Sequence, residues 1–185
     1  MILGLDISTS ITGATVLDKD GNIVYNEAWD TRKFKNIFVK AEHVKEGILD
    51  AFEDSLDNNS TIEHIFIEQN LQSFRSGFSS AKTLSTLSRF NGIVSWVCYE
   101  SLNIEPEYIA APTARKLAGL KIPRGTKAKE VVLRHVIENN WLEVEYTKNG
   151  NPKPQYYDRA DSIIIAKAGH YLLQESLKDE NTNNQ

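Results

Sequence analysis

The sequence contains only one cysteine, Cys98, in 185 residues. A single cysteine excludes a disulfide within the chain and a zinc site built from several thiolates, and it favours a reducing compartment such as the cytoplasm. Long apolar runs are also missing, so we expect no segment that spans a bilayer. No basic segment precedes the apolar residues at the N-terminus, which argues against a signal peptide.

Several patterns of catalysis and of domain organisation are absent as well. No serine-histidine-aspartate or cysteine-histidine arrangement stands out, and there is no internal repeat or linker that would divide the chain. The apolar content of 41% and the charged content of 25% are ordinary for a globular protein of this length. We therefore predict one domain over residues 1–178, followed by a disordered polar tail at 179–185.

Positive charge is in slight deficit, since 21 basic residues face 25 acidic ones and the formal net charge is −4. That balance argues mildly against a nucleic-acid partner. The charge is unevenly distributed, however. Residues 115–134 carry seven lysines and arginines and only one acid, Glu130, and residues 69–97 carry three basic residues and no acid. The basic stretch at 115–134 is either a solvated face or a phosphate-binding segment, and Gly119 and Gly125 within it slightly favour phosphate contact.

The hydrophobic periodicity predicts an α/β protein with a mixed sheet. Three strands joined by tight turns form an antiparallel meander, and a helical crossover then leads to strands that pair in parallel. Helices are expected on both faces of a five-stranded sheet. The predicted strands cover residues 2–6, 11–17, 23–29, 62–68 and 104–110, and the predicted helices begin near residues 37, 79, 112, 127 and 157.

Four acids lie where an apolar pattern begins or ends. Asp6 ends the first strand and Glu68 ends the fourth, so their side chains converge if those two strands are neighbours. Asp158 and Asp161 are three residues apart at the start of the last helix and therefore share a face. Clustered carboxylates require cations, and oxygen ligands suit Mg²⁺ or Mn²⁺. Two such ions about 4 Å apart can support an in-line phosphoryl displacement.

Each of these features also has a purely structural interpretation. Acids in a first helical turn interact favourably with the helix dipole, by a few tenths of a kcal/mol each. Asp6 is also consistent with a turn cap. Glu68 is harder to explain in this way, because a carboxylate after three apolar residues is costly unless it is exposed or paired. Phe74 and Phe78 are equally consistent with ordinary core packing.

Four motifs, in this order, resemble those of RuvC-type Holliday-junction resolvases of the RNase H-like superfamily. They are LGLDISTSITGATVL, IFIEQNLQSFRSGFSSAKTLSTLSRFNGIV, APTARKLAGLKIPRGTKAKEVV and YDRADSIIIAKAGH. The resemblance covers nearly the whole chain, and the ordered set is far more specific than any one motif. The low positive charge departs from the bacterial members, and the compact length fits a phage or viral member acting in an infected host cell.

The resemblance implies an RNase H-like fold and a metal-dependent nuclease that cuts four-way DNA junctions by paired nicks. It assigns two Mg²⁺ ions, or Mn²⁺, to each active site, and it implies a homodimer. The helix at 79–102 is the candidate interface because it carries apolar residues on more than one face, at Leu84, Leu87, Val94, Trp96 and Tyr99. The implied catalytic and metal-binding residues are Asp6, Glu68, Asp158 and Asp161. The implied DNA-binding residues are Phe74, Arg75, Phe78, Lys116, Arg124, Lys127 and Lys129.

Three other functions remain open at this point. A related nuclease acting on RNA or on other branched DNA shares the same acids, although such RNA-processing chains are usually shorter. The segment GLDISTSITGATV also looks like the phosphate-binding strand pair of the actin, sugar-kinase and Hsp70 superfamily. Those proteins usually need a second domain and a second glycine-rich motif, which are not found here. A non-catalytic junction-binding protein is disfavoured because all four acids are present.

Overall fold

A mixed sheet of five strands forms the centre of the protein, as the sequence predicts. The computed structural model describes residues 1–57, 60–69 and 81–183. The strand order is β3-β2-β1-β4-β5. The first three strands pair antiparallel, and β4 pairs parallel with both β1 and β5. The strands are β1 (Ile2–Asp6), β2 (Ile11–Leu17), β3 (Ile23–Asp30), β4 (His64–Gln69) and β5 (Glu107–Ala110).

Helices cover both faces of this sheet. They are α1 (Ile37–Asp57), α2 (Ala81–Leu102), α3 (Ala111–Leu117), α4 (Ala128–Glu138) and α5 (Gln155–Asn183). In the described parts of the chain, no helix combines the length and the apolar character needed to cross a membrane. Helix α5 continues to Asn183, five residues into the tail that we expected to be disordered at 179–185. Once a helix is nucleated, each added residue gains a backbone hydrogen bond, so a polar sequence is able to extend it.

The alternation of side chains along β1 separates two cores. Leu3 and Leu5 are fully buried against α1 and α2 on one face. Ile2 packs into the other core, beneath α3, α4 and α5. Since alternate residues of a strand share a face, Gly4 and Asp6 point toward α5 with Ile2. The terminal carboxylate of β1 therefore belongs to the α5 side of the sheet.

Helix α5 crosses the sheet in very close contact with it. A Cβ atom added at Gly4 would lie only 2.5 Å from the backbone nitrogen of Ala166, and one at Gly13 would lie 2.0 Å from the carbonyl oxygen of Asp158. The ring of Phe66 similarly fills the space beside Gly169, 2.2 Å from such an atom. These contacts place the start of α5 over β2 and its later turns over β1 and β4.

Helix α2 presents an aromatic pair to solvent. Trp96 is 63% exposed and Tyr99 is 45% exposed, and their ring centroids are 5.8 Å apart. Val94, which we expected at a partner contact, is fully buried. That expectation is wrong because Val94 shares the inward side of the helix with Phe90 and Cys98, four residues away on either side.

We predict that Gly4→Ala lowers the free energy of unfolding by about 1–3 kcal/mol, because the new methyl group collides with the backbone of α5. Urea denaturation followed by circular dichroism measures the change. Gly92→Ala is the matched control, since a Cβ at Gly92 meets nothing within 4 Å. In the interior of α2 that change should stabilise the protein by up to about 1 kcal/mol. Equal stability of Gly4→Ala and wild type would contradict the close packing of α5 on β1.

Candidate active site

The edge of the sheet where β1 and β4 end carries two carboxylates on neighbouring strands. Leu5 pairs with Ile67 in the parallel register of β1 and β4, so Asp6 and Glu68 occupy the next positions side by side. Both side chains point toward α5, since Glu68 shares its strand face with Phe66 of the α5-side core. The register thus brings together two of the acids that the sequence singled out.

The first turns of α5 bring the other two carboxylates to the same edge. The backbone carbonyl of Asp158 lies against Gly13 of β2, and Gly13 pairs with Asp6 across the antiparallel ladder. Asp161 lies one turn further along α5 and is only 6% exposed. We call Asp6, Glu68, Asp158 and Asp161 the four-carboxylate cluster.

Burial and mutual repulsion raise the pKa of three of these groups. The pKa of Asp6 lies well above its usual range, first because the group is buried and then because Glu68 and Asp161 repel its charge. Burial and repulsion from Asp161 raise the pKa of Glu68 to about 7. Burial also raises the pKa of Asp161, although nearby positive charges partly offset this. The cluster is therefore short of positive charge.

Lys129, at the start of α4, supplies part of that missing charge. Its Nζ donates a hydrogen bond of 2.8 Å to Oδ1 of Asp158 and lies 3.4 Å from Oδ2 of Asp161. Burial opposes the charge of this ammonium group, but attraction from Asp161 and Asp6 outweighs burial and raises the pKa of Lys129. The resemblance placed Lys129 where the family has lysines that contact DNA or support catalysis. In the structure its ammonium group lies beside Asp158 and Asp161, and the contact with DNA stays a prediction.

A basic groove adjoins the cluster on the β5 side. Helix α3 begins with Pro112 in its first turn and is followed by Gly119 at a φ of +74°, which ends the helix after two turns. Arg115 on α3 is close enough to lower the pKa of both Glu68 and Asp161. The groove has a volume of about 540 Å³ and is lined by Pro112, Arg115, Lys116, Gly119, Leu120, Lys121 and Ile122.

Besides Lys129, the predicted DNA-binding residues lie either in or near this groove or outside the described residues. Lys116 lines the groove, and Arg124 and Lys127 lie on exposed chain just beyond it. Lys127 also forms an exposed ion pair of 3.0 Å with Glu130. Phe74, Arg75 and Phe78 lie outside the described residues, so their role stays a prediction.

A polar network that our sequence analysis missed holds the start of α5 on the sheet. Arg159 donates from Nε to Oδ1 of Asn26 at 2.7 Å and from Nη2 to the Asn26 carbonyl oxygen at 2.7 Å. The hydroxyl groups of Ser162 and Thr15 share a buried hydrogen bond of 2.7 Å, and Asn26 also donates to Thr15 at 2.7 Å. Arg159 and Ser162 lie on either side of Asp161 in the motif YDRADS. These polar residues beside the two acids were the sequence signal that the first turns of α5 make further polar contacts.

The donor set of the cluster is the one that Mg²⁺ and Mn²⁺ prefer, because every side chain offers carboxylate oxygens. Within residues 1–57, 60–69 and 81–183, no group of three or more acid, histidine or cysteine side chains has an arrangement that holds a metal ion. Mg²⁺ usually binds one or two protein carboxylates and completes its coordination with water and substrate phosphates. The residues therefore fit a metal site that is completed by a phosphate, as opposed to a closed protein cage.

The histidine of the last motif has a different place. His170 is 7% exposed, lies against Gly21 in the turn between β2 and β3, and shares a hydrogen bond of 2.8 Å with Gln174. This turn is at the end of the sheet opposite Asp6, since Asp6 pairs with Gly13 near the start of β2. His170 therefore takes part in packing away from the four-carboxylate cluster.

Comparisons with solved structures show which fold this is. RuvC of T. thermophilus in complex with a Holliday junction substrate matches with a TM-score of 0.65 and 14% identity, over 94% of this chain and 94% of that chain. Another Thermus thermophilus RuvC structure gives a TM-score of 0.60 and 17% identity, over 95% and 96% of the two chains. The yeast mitochondrial Holliday junction resolvase Ydc2 gives 0.52 and 13%, over 92% of this chain and 77% of that chain.

At these identities the likeness establishes the fold alone. The chain has the RNase H-like fold of the RuvC resolvases, which confirms the fold predicted from the motifs. No protein-family model matches the sequence, and no curated protein sequence matches it.

We predict that the metal-free protein loses stability as the pH rises from about 4.5 to about 7. The lower value is the ordinary pKa of a glutamate, and the upper value is the pKa of Glu68 in the folded protein. Over this interval the folded state keeps a proton that the unfolded chain releases, so the free energy of unfolding falls with pH, by on the order of 1–3 kcal/mol. Urea denaturation in a chelating buffer at pH 5, 6, 7 and 8 measures the profile.

Glu68→Gln should make this pH profile shallower, because the substituted side chain does not ionise and its repulsion of Asp6 is removed. Glu53→Gln, on the exposed side of α1, serves as the control and should keep the wild-type slope. A slope that is the same in wild type and Glu68→Gln would mean that Glu68 does not ionise in a crowded site.

Proposed function

We propose that this protein is a metal-dependent endonuclease that resolves four-way DNA junctions by paired nicks. The observation that carries the proposal is the placement of four carboxylates at one edge of an RNase H-like sheet, beside a basic groove. The groove suits a polyanion, and the carboxylates suit the cations that phosphoryl transfer needs. The likeness in fold to a RuvC chain that was solved with a Holliday junction substrate supports the choice of DNA substrate.

Asp6, Glu68, Asp158 and Asp161 would hold two Mg²⁺ ions, with Mn²⁺ as the alternative metal. When bound, the ions would activate a water and stabilise the leaving oxygen of the cut strand. The raised pKa values of Asp6 and Glu68 support this assignment, because they show that the site favours added positive charge. In a purely structural role, carboxylates this close together would only repel one another and destabilise the folded protein.

Lys129 would support the charge balance of the site and would not act as a base. Its pKa is raised by Asp161 and Asp6, so the ammonium group keeps its proton at neutral pH. It holds Asp158 at 2.8 Å and thereby orients that carboxylate on the first turn of α5. Arg159 orients the same turn from the other side through its two hydrogen bonds to Asn26.

Lys116, Arg124 and Lys127 would contact the DNA backbone. Lys116 lines the groove beside α3, and the other two extend the positive charge toward α4. Phosphate contacts of this kind position the duplex and carry no sequence information by themselves. The segment that carries Phe74, Arg75 and Phe78 follows closely after Glu68 in sequence, and an aromatic there would stack on a base at the strand exchange.

A homodimer would present two such sites to the two-fold axis of a junction. The exposed Trp96 and Tyr99 on α2 support this arrangement, because large aromatic side chains are enriched at protein interfaces. Tyr108 of β5 extends the aromatic surface, since its hydroxyl donates to Ser95 of α2 at 2.6 Å. Leu84 and Leu87 lie half-buried toward the start of α2 and would complete the contact.

The decisive experiment incubates the protein and Mg²⁺ with a synthetic four-way junction, a linear duplex, a single strand and an RNA hairpin, and maps the cuts. We expect symmetrical nicks in the junction and little cutting of the linear duplex. Preferential cutting of the RNA would favour an RNA-processing nuclease of the same fold. No cutting of any substrate with Mg²⁺ or Mn²⁺ would overturn the proposal.

Asp161→Asn should lower the rate of junction cutting by roughly 100-fold or more, because it removes one charge from the metal site. Junction binding should persist or tighten, since repulsion between the site and phosphate falls. Gel mobility shifts in a chelating buffer measure binding, and gel electrophoresis of labelled strands measures cutting. Glu53→Gln is the control for a charge lost elsewhere. Wild-type cutting by Asp161→Asn would remove Asp161 from the site.

Trp96→Glu should convert the dimer into monomers, because a charge in the centre of the proposed contact is poorly accommodated. The variant should keep its thermal stability within a few degrees, as Trp96 is largely exposed in the single chain. Analytical ultracentrifugation measures the mass, and the junction assay measures the loss of paired nicks. A wild-type protein that is already monomeric at micromolar concentration would exclude the α2 interface.

A further inference from the structure

A second basic surface lies on the opposite side of the carboxylates from the α3 groove. The turn between β3 and α1 carries Arg32, Lys33 and Lys35, all of which are exposed. Lys40 follows in the first turns of α1, and residues 31–41 contain no acid. We call Arg32, Lys33 and Lys35 the β3–α1 basic surface.

This surface lies at the same edge of the sheet as the four-carboxylate cluster. Asp30, the last residue of β3, pairs with Ile11 at the start of β2, and Gly13 of β2 pairs with Asp6. The strands β1 and β3 are separated only by β2, which corresponds to about 10 Å. The charge of Asp158 contributes to a raised pKa of Arg32, after its contacts with Asp30, so the surface lies within electrostatic reach of the cluster.

Stability of α1 does not explain this placement of charge. A helix is stabilised by acids near its N-terminus and by bases near its C-terminus, by about 0.3–1 kcal/mol per charge. Helix α1 shows the reverse, since its first turn contains no acid and its last turn contains no base. Acids instead accumulate toward its C-terminal end, at Asp50, Glu53, Asp54 and Asp57. The basic residues in front of α1 therefore work against the helix dipole.

Local contacts also leave much of the charge unneutralised. Arg32 forms an ion pair of 2.5 Å with Asp30, and Lys40 donates a hydrogen bond to the carbonyl oxygen of Thr9. Lys33 lies over the ring of Phe34 at 4.9 Å, a contact that keeps its charge. In the part of the chain that the structure describes, no carboxylate forms an ion pair with Lys33 or Lys35. The charge of Lys33 also helps to lower the pKa of Asp30, after the contacts of Asp30 with Arg32. Both lysines remain exposed and able to meet a further anion.

We propose that the β3–α1 basic surface is a second DNA-binding surface, which holds the phosphate backbone on the β3 side of the carboxylates while the α3 groove holds it on the β5 side. This inference rests on the proposed function and adds to it a second surface that contacts the same DNA substrate. A duplex carries one negative charge per about 1.7 Å of its axis, so a nucleic acid that runs along this edge of the sheet, across the four-carboxylate cluster, brings phosphates over both surfaces. The cluster then lies between two attractive surfaces, which offset its repulsion of the substrate.

The test compares the salt dependence of binding to a synthetic four-way junction. The plot of log K against log salt has a negative slope, because salt weakens binding. In a chelating buffer, the double variant Lys33→Gln with Lys35→Gln should make this slope less steep by about 1.8, or about 0.9 per lost phosphate contact. Its thermal stability should equal or exceed that of wild type, because the substitution removes charge that opposes the dipole of α1. The single variant Lys35→Gln should show about half of the change in slope.

Lys19→Gln is the control, since Lys19 is exposed in the turn between β2 and β3 at the opposite end of the sheet, and its slope should equal that of wild type. Lys116→Ala serves as the reference for the α3 groove. If Lys116→Ala makes the slope less steep and the double variant does not, the second surface is refuted and the proposed function stands. If wild type binds neither junction nor duplex, the proposed function fails together with this inference.

Discussion

Repulsion between partly buried carboxylates is the constraint on which the arrangement of this protein depends. Asp6 and Glu68 occupy adjacent strands, and both have raised pKa values because burial and neighbouring acids disfavour their charge. A fold that holds such groups together must supply the opposing energy elsewhere. Here the opposing energy comes from the packing of α5 across the sheet and from the ammonium group of Lys129.

The packing of α5 links the site to the core. Gly4, Gly13 and Gly169 each lie where a larger residue would collide with the helix or the sheet, so the helix sits closer to the strands than side chains normally allow. The same contacts that bury Ile163 and Ile165 place Asp158 above β2. Stability of the domain and geometry of the site therefore come from one set of contacts, and a change in one is expected to alter the other.

Much of the fold and the position of the acids were predictable from the sequence, because each depended on local pattern. The alternation in β1 indicated a strand, and the register of β1 with β4 then brought Asp6 beside Glu68. The contacts around the cluster were not predictable in this way. Lys129 reaches Asp158 across 29 residues, and Arg159 reaches Asn26 across 133, and no local spacing encodes such pairs. Val94 was misassigned because periodicity alone does not say which side of α2 faces the sheet.

The position of α5 in the chain has a consequence for how the protein is made. The hydrogen bond between Thr15 and Ser162 spans 147 residues, so β2 is synthesised long before the helix that completes its packing. Contacts of such separation form late and slowly in folding. Until α5 has been synthesised, the surface of β1 and β2 around Gly4 and Gly13 has no helix to cover it. Residues 1–154 also contain only two of the four clustered acids, Asp6 and Glu68. A partly synthesised chain thus lacks half of the cluster, and the complete cluster requires the same docking of α5 that closes the core on this face of the sheet.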